Sequence, residues 1–479
     1  MTAESPSITP VEPKLPDPRL MAAIVASALF MQNLDGTVVA TALPAMSRSL
    51  GEDPLVMGVA ITSYLVALTV FIPLSGWVAD RFGAKQVFLV AIGTFTLASA
   101  LCGMAGGLAE MVAARVLQGL GGAMMVPVGR LLLLRRVRRE ELLSVTTWLT
   151  MPALIGPLLG PPLGGLLTDL ISWRAVFWIN VPVGMIGMVL VWRIIPPLPA
   201  SLPPPPDIRG LALTGAALAC TMFAFETLGR GLVPAHLAEG GVLAAIVLTV
   251  WAIRHCLKTP HPALDFRLLA IPSFRVPNIA GTVFRVGAGA TPFLIPLTLQ
   301  LGFGASAAES GLISFASALG AFAMKPMAKF ALRRFGFRNV LIWNAVLAAL
   351  CIALCGAFRP GWPMAAIFTV LLISGLCRSL QFTAMNTLAY ADVPQEKLSA
   401  ATSLYSTAQQ LPQALGVAVA SAVLQISVAL AGREGVALPD FTAGFLVAAA
   451  LAMVAGPLAA GLPRDAGEGI VSGGGARKR

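Results

Sequence analysis

Asp35, Arg115, Glu226, Arg285 and Arg378 stand out among the ionisable residues inside long apolar stretches. A charge placed in hydrocarbon is costly, so such residues are candidates for function before any other. Asp35 falls about 15 residues into the first apolar stretch, ~22 Å along a helix. Arg115 falls about 7 residues into the fourth, ~10 Å from the opposite end. Across a hydrocarbon core ~30 Å thick these depths coincide, and the spacing pairs Asp35 with Arg115. An aspartate beside a guanidinium can release a proton and be reprotonated as its access changes. A static buried ion pair is the plainer alternative. Glu226, in Met222-Phe-Ala-Phe-Glu-Thr227, is either a second proton site or a side chain reaching the interface beside Arg230. Arg285 and Arg378 both fall near the midplane, about 11 and 15 residues into their stretches, and no acid of the C-terminal half stands at similar depth. Two such guanidinium groups suit an anionic or zwitterionic small molecule. Gln381, Asn386, Gln409, Gln410 and Gln413 could hydrogen-bond that molecule or, equally, join neighbouring helices. Phe284, Phe293 and Phe382 could supply apolar wall or simple packing.

The elements that must position these residues are read from composition. The chain has 479 residues, 57% hydrophobic and 11% charged, where soluble proteins carry roughly 25% charged residues. Its mean hydropathy is +0.82. A soluble enzyme and a disordered chain are excluded, and an all-α membrane protein fits. Fourteen stretches are long and apolar enough to cross a bilayer: 20–46, 55–78, 86–107, 109–134, 142–168, 174–197, 208–228, 237–257, 274–301, 308–330, 338–357, 363–390, 399–430 and 441–462. Residues 1–19 are Pro-rich and polar, without the apolar core of a signal peptide, and read as a cytoplasmic tail. With that end inside, 24 of the 33 Lys and Arg residues fall on the inner side and 5 on the outer. The bias supports an even number of spans with both termini cytoplasmic. The six cysteines lie in apolar stretches without a CxxC pair, so neither a metal site nor a disulfide framework is expected. No GxxxxGK[ST] motif, repeated pore loop or His/Asp/Cys constellation points to a pump, a channel or an enzyme.

The chain also repeats itself. Asp80-Arg-Phe-Gly-Ala-Lys85 follows the second stretch, and Arg333-Arg-Phe-Gly-Phe-Arg338 follows the tenth. Both place Arg-Phe-Gly and a further basic residue in an inner loop. Related sequence in two halves marks transporters built from parallel repeats. The expected divisions are a bundle of six helices over 20–197, linkers with two inserted helices over 198–272, a second six-helix bundle over 273–462, and a cytoplasmic tail over 463–479.

Four motifs give this pattern a family. Leu34-Asp-Gly-Thr-Val-Val-Ala-Thr-Ala-Leu-Pro44, Gly76-Trp-Val-Ala-Asp-Arg-Phe-Gly-Ala-Lys85 and Arg115-Val-Leu-Gln-Gly-Leu-Gly-Gly122 resemble, in order, the first-span, loop and fourth-span signatures of the major facilitator superfamily. Gly156-Pro157, Gly160-Pro161 and Gly164-Gly165, followed by Trp173-Arg-Ala-Val-Phe-Trp-Ile-Asn-Val-Pro-Val-Gly184, resemble its fifth-span antiporter motif. The chain is similar to the fourteen-span drug:proton antiporters, and Phe284-Arg285, Lys325–Arg338 and Met385-Asn-Thr387 look most like the multidrug exporter D type.

The resemblance implies a major facilitator fold, with two six-helix bundles plus two inserted helices, in a bacterial inner membrane. It implies alternating access, with outward transport of amphipathic compounds driven by inward proton flow. A dedicated exporter of an anionic metabolite or metal chelate is the alternative, because Arg285 and Arg378 suit it better. Asp35 would carry the proton, with Arg115 tuning it and Glu226 as a possible second site. Asp80 would gate, in a loop where Gly76 and Gly83 allow close helix approach and a tight turn and Arg81 and Lys85 anchor orientation. Gly156, Gly160 and Gly164 repeat at i, i+4 and i+8 and so line one helix face. The implied role is a kinked seam, bent at Pro157 and Pro161, that limits proton leak. Arg285, Arg378, Gln381 and Asn386 would line a substrate cavity between the bundles. The expected partners are a small molecule, protons and lipid, with no nucleic acid, no metal and no cofactor beyond the proton gradient. The chain is expected to act as a monomer.

Overall fold

The computed structural model describes residues 17–134, 142–196, 207–227, 235–260, 262–394, 397–433, 435–463 and 466, with the side chains of 142–154 and a few others left aside. Helix dominates because almost every stretch is apolar, and a backbone in lipid must satisfy its own hydrogen bonds. A helix lies at each of the fourteen expected positions. They are α1 Pro18–Leu50, α2 Val56–Phe82, α3 Ala84–Met104, α4 Leu108–Leu134, α5 Leu142–Leu170, α6 Ala175–Ile194, α7 Ile208–Thr227 and α8 Ala235–Lys258. The second group is α9 Pro272–Gly302, α10 Ala307–Phe335, α11 Phe337–Cys355, α12 Met364–Leu388, α13 Leu398–Leu430 and α14 Leu438–Ala459. Among the described residues, twelve are long and apolar enough to cross a membrane; α5 and α7 are the two not counted.

Proline shapes several of them. Pro73 lacks the N–H that α2 needs, and residues 72–74 tighten into a 3₁₀ turn before the helix resumes at Ser75. α9 carries Pro277, Pro292 and Pro296 and ends in a π turn over Thr298–Gly302. Proline and π turns of this kind are the usual causes of bends in helices.

Packing divides the helices by position. In α9, 72% of the apolar window is buried, against 22% in α8. α9 is therefore central and α8 peripheral, and the large side chains exposed on α8, such as Leu243, Ile246 and Trp251, face outward. α7 and α8 form a hairpin whose α7 packs on α2 and α13. At the end of the hairpin, Asp207 Oδ1 lies 2.8 Å from His255 Nε2 and accepts from the Gly210 N–H, while Oδ2 accepts from the Ala263 N–H.

The repeated loop is repeated in structure. Gly83 and Gly336 both have positive φ, 88° and 76°, where a side chain would be strained. Two residues on, Lys85 Nζ donates to the Trp192 carbonyl near the end of α6, and Arg338 Nη2 donates to the Ala460 carbonyl just past α14. Each loop thus ties the start of its own third helix to the close of its sixth. Gly76 differs from expectation. A Cβ there would meet nothing within 4 Å, so no close helix approach requires that glycine in this conformation.

Candidate functional site

Asp35 on α1 and Arg115 on α4 meet, as their depths imply. Arg115 Nη1 lies 2.6 Å from Asp35 Oδ2, and both residues are 1% exposed. The pair does not stand alone. Gln118, one turn beyond Arg115, donates from Nε2 to Asp35 Oδ1 at 2.9 Å and to Ser99 Oγ at 2.6 Å. Its Oε1 accepts from Arg115 Nη1 at 2.6 Å. Asn180 on α6 donates to Asp35 Oδ1 at 3.1 Å. Arg115 Nε donates to the Ala60 carbonyl of α2 at 2.8 Å, and its guanidinium carbon sits 4.4 Å from the Tyr64 ring centroid. Five helices, α1, α2, α3, α4 and α6, contribute to the cluster around this carboxylate. This satisfies the requirement that a buried charge be paired and its remaining lone pairs filled.

Sequence reasoning placed the pair but not its partners. Gln118, Ser99, Asn180 and Tyr64 are uncharged, and one polar residue per helix carries no cost conspicuous enough to single it out. The signal was present in the i, i+3 spacing of Arg115 and Gln118, which puts both on one face.

Beside this cluster lies a cavity of about 440 Å³. Its walls come from α1, α2 and α5 on one side and α9, α10, α12 and α13 on the other. Arg285 and Arg378 line it, and so does Lys325, which the sequence placed at the inner end of a span with no role. No carboxylate is among its described lining residues. Asp35 and Arg115 lie outside the lining, although Gln32, Gly36 and Tyr64 beside them are part of it.

Among the described residues, no acid pairs with the three cations. Arg285 is 2% exposed; its Nη2 donates to the Tyr405 hydroxyl at 2.9 Å, and its carbon lies 5.5 Å from the Phe382 ring. Its Nη1 has no hydrogen-bond partner among the described residues. Arg378 Nη2 donates to Ser317 Oγ, and Lys325 Nζ to Thr383 Oγ1, both at 3.3 Å. Two expected lining residues are elsewhere. Gln381 turns away, bonding the Leu341 carbonyl and Asn344 of α11. Asn386 accepts from Tyr405 and Gln409, so it braces the residue that braces Arg285. Gln410 and Gln413 do line the cavity.

The fifth-span glycines sit where helices touch. Cβ atoms at Gly156, Gly160 and Gly164 would run into α1 at Asn33, Thr37 and Thr41. Gly165 faces the opposite way, against the backbone of Ala307 on α10, and Gly311 of α10 faces Pro161. Asp169 Oδ2 accepts from the Ala308 N–H at 2.7 Å, closing the same end of the α5–α10 contact. Further contacts across the middle of the chain join the same end: Gln300 to the Thr41 carbonyl, and Ser421 to the Leu55 carbonyl. Pro157 and Pro161 line the cavity. Asp80 is half-buried on the last turn of α2, next to exposed Arg81. The Glu226 side chain lies outside the described residues.

A helical membrane fold with a central cavity between two groups of helices is the architecture of a multi-pass transporter. The Major Facilitator Superfamily model matches residues 25–267 and 278–476, and the chain belongs to that family. It is a transporter, not an enzyme, of the bacterial inner membrane. It is 39% identical over 406 residues to a Salmonella paratyphi A protein named "Putative multidrug resistance protein MdtD", covering 84% of this chain and 85% of that one. The Citrobacter koseri protein of the same name is 38% identical over 403 residues, with the same coverage. The fold is similar to crystal structures of a POT peptide transporter (TM-score 0.69, 14% identity, 94% of this chain and 95% of the other) and a D-xylose–proton symporter (TM-score 0.67, 13% identity, 93% and 98%).

Proposed function

We propose that the chain is a proton-coupled exporter of small molecules working by alternating access. It crosses the membrane fourteen times with both termini in the cytoplasm, as two six-helix bundles and an inserted hairpin. One observation carries this reading: a fully buried Asp35–Arg115 pair stands beside, but outside, a cavity lined by three cations and no described carboxylate. Proton and cargo then occupy separate places. Asp35 takes the proton, and Arg115, Gln118 and Asn180 stabilise its charged form. Cargo binds between the bundles. The contacts of α5 with α10 and of α13 with α2 close the outer end, leaving exchange with the cytoplasm.

The lining favours a cargo with an anionic group over an amphipathic cation. A cation would enter a site that already holds Arg285, Lys325 and Arg378, against Coulomb repulsion in a low dielectric. An anion would give the unfilled Nη1 of Arg285 a partner. Export of an anionic metabolite or chelate is thus preferred to export of cationic drugs.

The test is transport in proteoliposomes with a pH-sensitive dye inside and panels of anionic and cationic compounds outside. Anions are expected to drive proton movement in wild type, Asp35→Asn to abolish it, and Arg285→Ala to abolish response to anions. Proton movement driven by cations and indifferent to Arg285→Ala would overturn the cargo assignment. No proton movement with any compound would overturn the coupling.

A further inference from the structure

We propose that Tyr64 is the gate between the cavity and the buried Asp35–Arg115 pair. Its ring must leave the guanidinium before Asp35 can exchange a proton with the cavity. The proposal rests on the proton-coupled reading above.

Asp35, Arg115, Gln118 and Asn180 are buried and line no part of the cavity, whereas Tyr64 touches both. Its ring covers the guanidinium at 4.4 Å on one side, and its side chain forms cavity wall on the other. One aromatic residue is therefore a wall common to the two compartments. Helix α4 is shaped to hold it. A Cβ at Gly119 would lie 2.6 Å from the Tyr64 carbonyl oxygen, and one at Gly122 would lie 3.2 Å from its hydroxyl. Glycine at both positions lets the backbone and hydroxyl of Tyr64 sit against α4. The same point at Gly122 lies 3.6 Å from the Gln32 amide carbon. Gln32 also lines the cavity, and its Oε1 has no hydrogen-bond partner among the described residues. An acceptor thus waits at the edge where water would enter once the ring swings.

The physics suits a gate. The ring is held over the guanidinium by cation–π attraction, packing and a side-chain hydrogen bond between its hydroxyl and Gln32, contacts that an arriving ligand can replace. While it stands, it keeps water from the carboxylate. The cargo-binding cations project from α9, α10 and α12, and Tyr64 stands on the wall made by α1 and α2. A molecule held by those cations presses on the ring, so cargo arrival and proton access become one event. Tyr64 acts through Asp35 and is a positioning residue.

The test uses the full chain in proteoliposomes with an internal pH-sensitive dye, an imposed pH gradient and no cargo. Tyr64→Ala is expected to leak protons about tenfold faster than wild type, the size expected on removing a contact of this kind. Tyr64→Phe, which keeps the ring, is expected to stay tight. The double variant Tyr64→Ala with Asp35→Asn is expected to be silent, a result that loosened packing alone would not give. In parallel, a water-soluble carbodiimide is applied to the protein in detergent, and the Asp35 adduct is read by mass spectrometry. It is expected to rise about tenfold in Tyr64→Ala and not in Tyr64→Phe. If Tyr64→Ala does not fold, Tyr64→Leu replaces it with the same expectations. A leak that survives Asp35→Asn, or an adduct unchanged by loss of the ring, overturns the gate. An adduct that rises while no variant and no compound moves protons leaves the gate standing and overturns the proton-coupled reading.

Discussion

At the scale of single residues, the carboxylate of Asp35 accepts three side-chain hydrogen bonds, from Arg115, Gln118 and Asn180. Its partners are specific in geometry as well as charge. Arg115 spends Nη1 on Asp35 and Gln118 and Nε on the Ala60 carbonyl, while its flat face lies on Tyr64. A lysine ammonium can reach one of these at a time. Arg115→Lys is therefore expected to lose transport despite its kept charge, by tenfold or more, about 1.4 kcal/mol. Initial rates in proteoliposomes check it, and wild-type rates in that variant would show that charge alone suffices. Asn180→Ala removes one donor to Asp35 and is expected to lower stability by about 1–3 kcal/mol, seen as a lower melting temperature in detergent. Much of this was legible in the sequence. The depths of Asp35 and Arg115 announced their pairing because charges in lipid are rare enough to be counted. Lys325 was not legible as a cavity residue, because its distance along α10 reads equally as an inner-end anchor. Gln381 and Asn386 were misplaced for a related reason: depth says how far a residue lies from the interface, not which neighbour its face meets.

At the scale of elements, α5 is the helix with two bare sides. Gly156, Gly160 and Gly164 meet α1, and Gly165 meets α10. The i, i+4, i+8 spacing revealed the first side; the second depended on a partner far along the chain, which spacing cannot name. Gly160→Val is expected to destabilise the α1–α5 pair by about 1–3 kcal/mol. Gly165→Val pushes on the Ala307 backbone, so cross-linking between cysteines placed at Asp169 and Ala308 is expected to fall. Unchanged cross-linking would show that this end tolerates the side chain.

The α7–α8 hairpin offers a pH-dependent counterpart at Asp207, which precedes α7. Burial alone would push the Asp207 carboxyl up, but hydrogen bonds from His255, the Gly210 N–H and the Ala263 N–H outweigh it and hold it below the ordinary value of 3.8. A carboxyl so lowered stabilises the folded state above that value, and the contribution disappears as pH falls beneath it. His255→Ala is thus expected to melt below wild type at pH near neutrality, with the gap closing under strongly acidic conditions. A gap that widens in acid would reverse the sign of the argument.

At the scale of the whole molecule, the apolar runs predicted where each of the fourteen long helices among the described residues lies, because spanning length is set by the bilayer. What the runs could not supply is the arrangement in space. The two tied loops, Lys85 to Trp192 and Arg338 to Ala460, are the structural form of the repeat first seen as Arg-Phe-Gly. A topology with both termini inside makes a direct prediction. A fluorescent protein fused after Arg479 is expected to mature, and alkaline phosphatase fused there to be inactive. An active phosphatase would place the C-terminus outside, against the basic-residue bias.

The three cations of the cavity also bear on what powers the cycle. Bacterial membranes are held negative inside, and each charge moved across them is worth about 2.3 kcal/mol per 100 mV. A cation leaving in exchange for a proton moves no net charge, so voltage contributes nothing. An anion leaving while a proton enters moves charge in the same electrical sense twice. A divalent anion exchanged for one proton would thus gain about 7 kcal/mol per 100 mV, and voltage rather than acidity would then be the main source of its export.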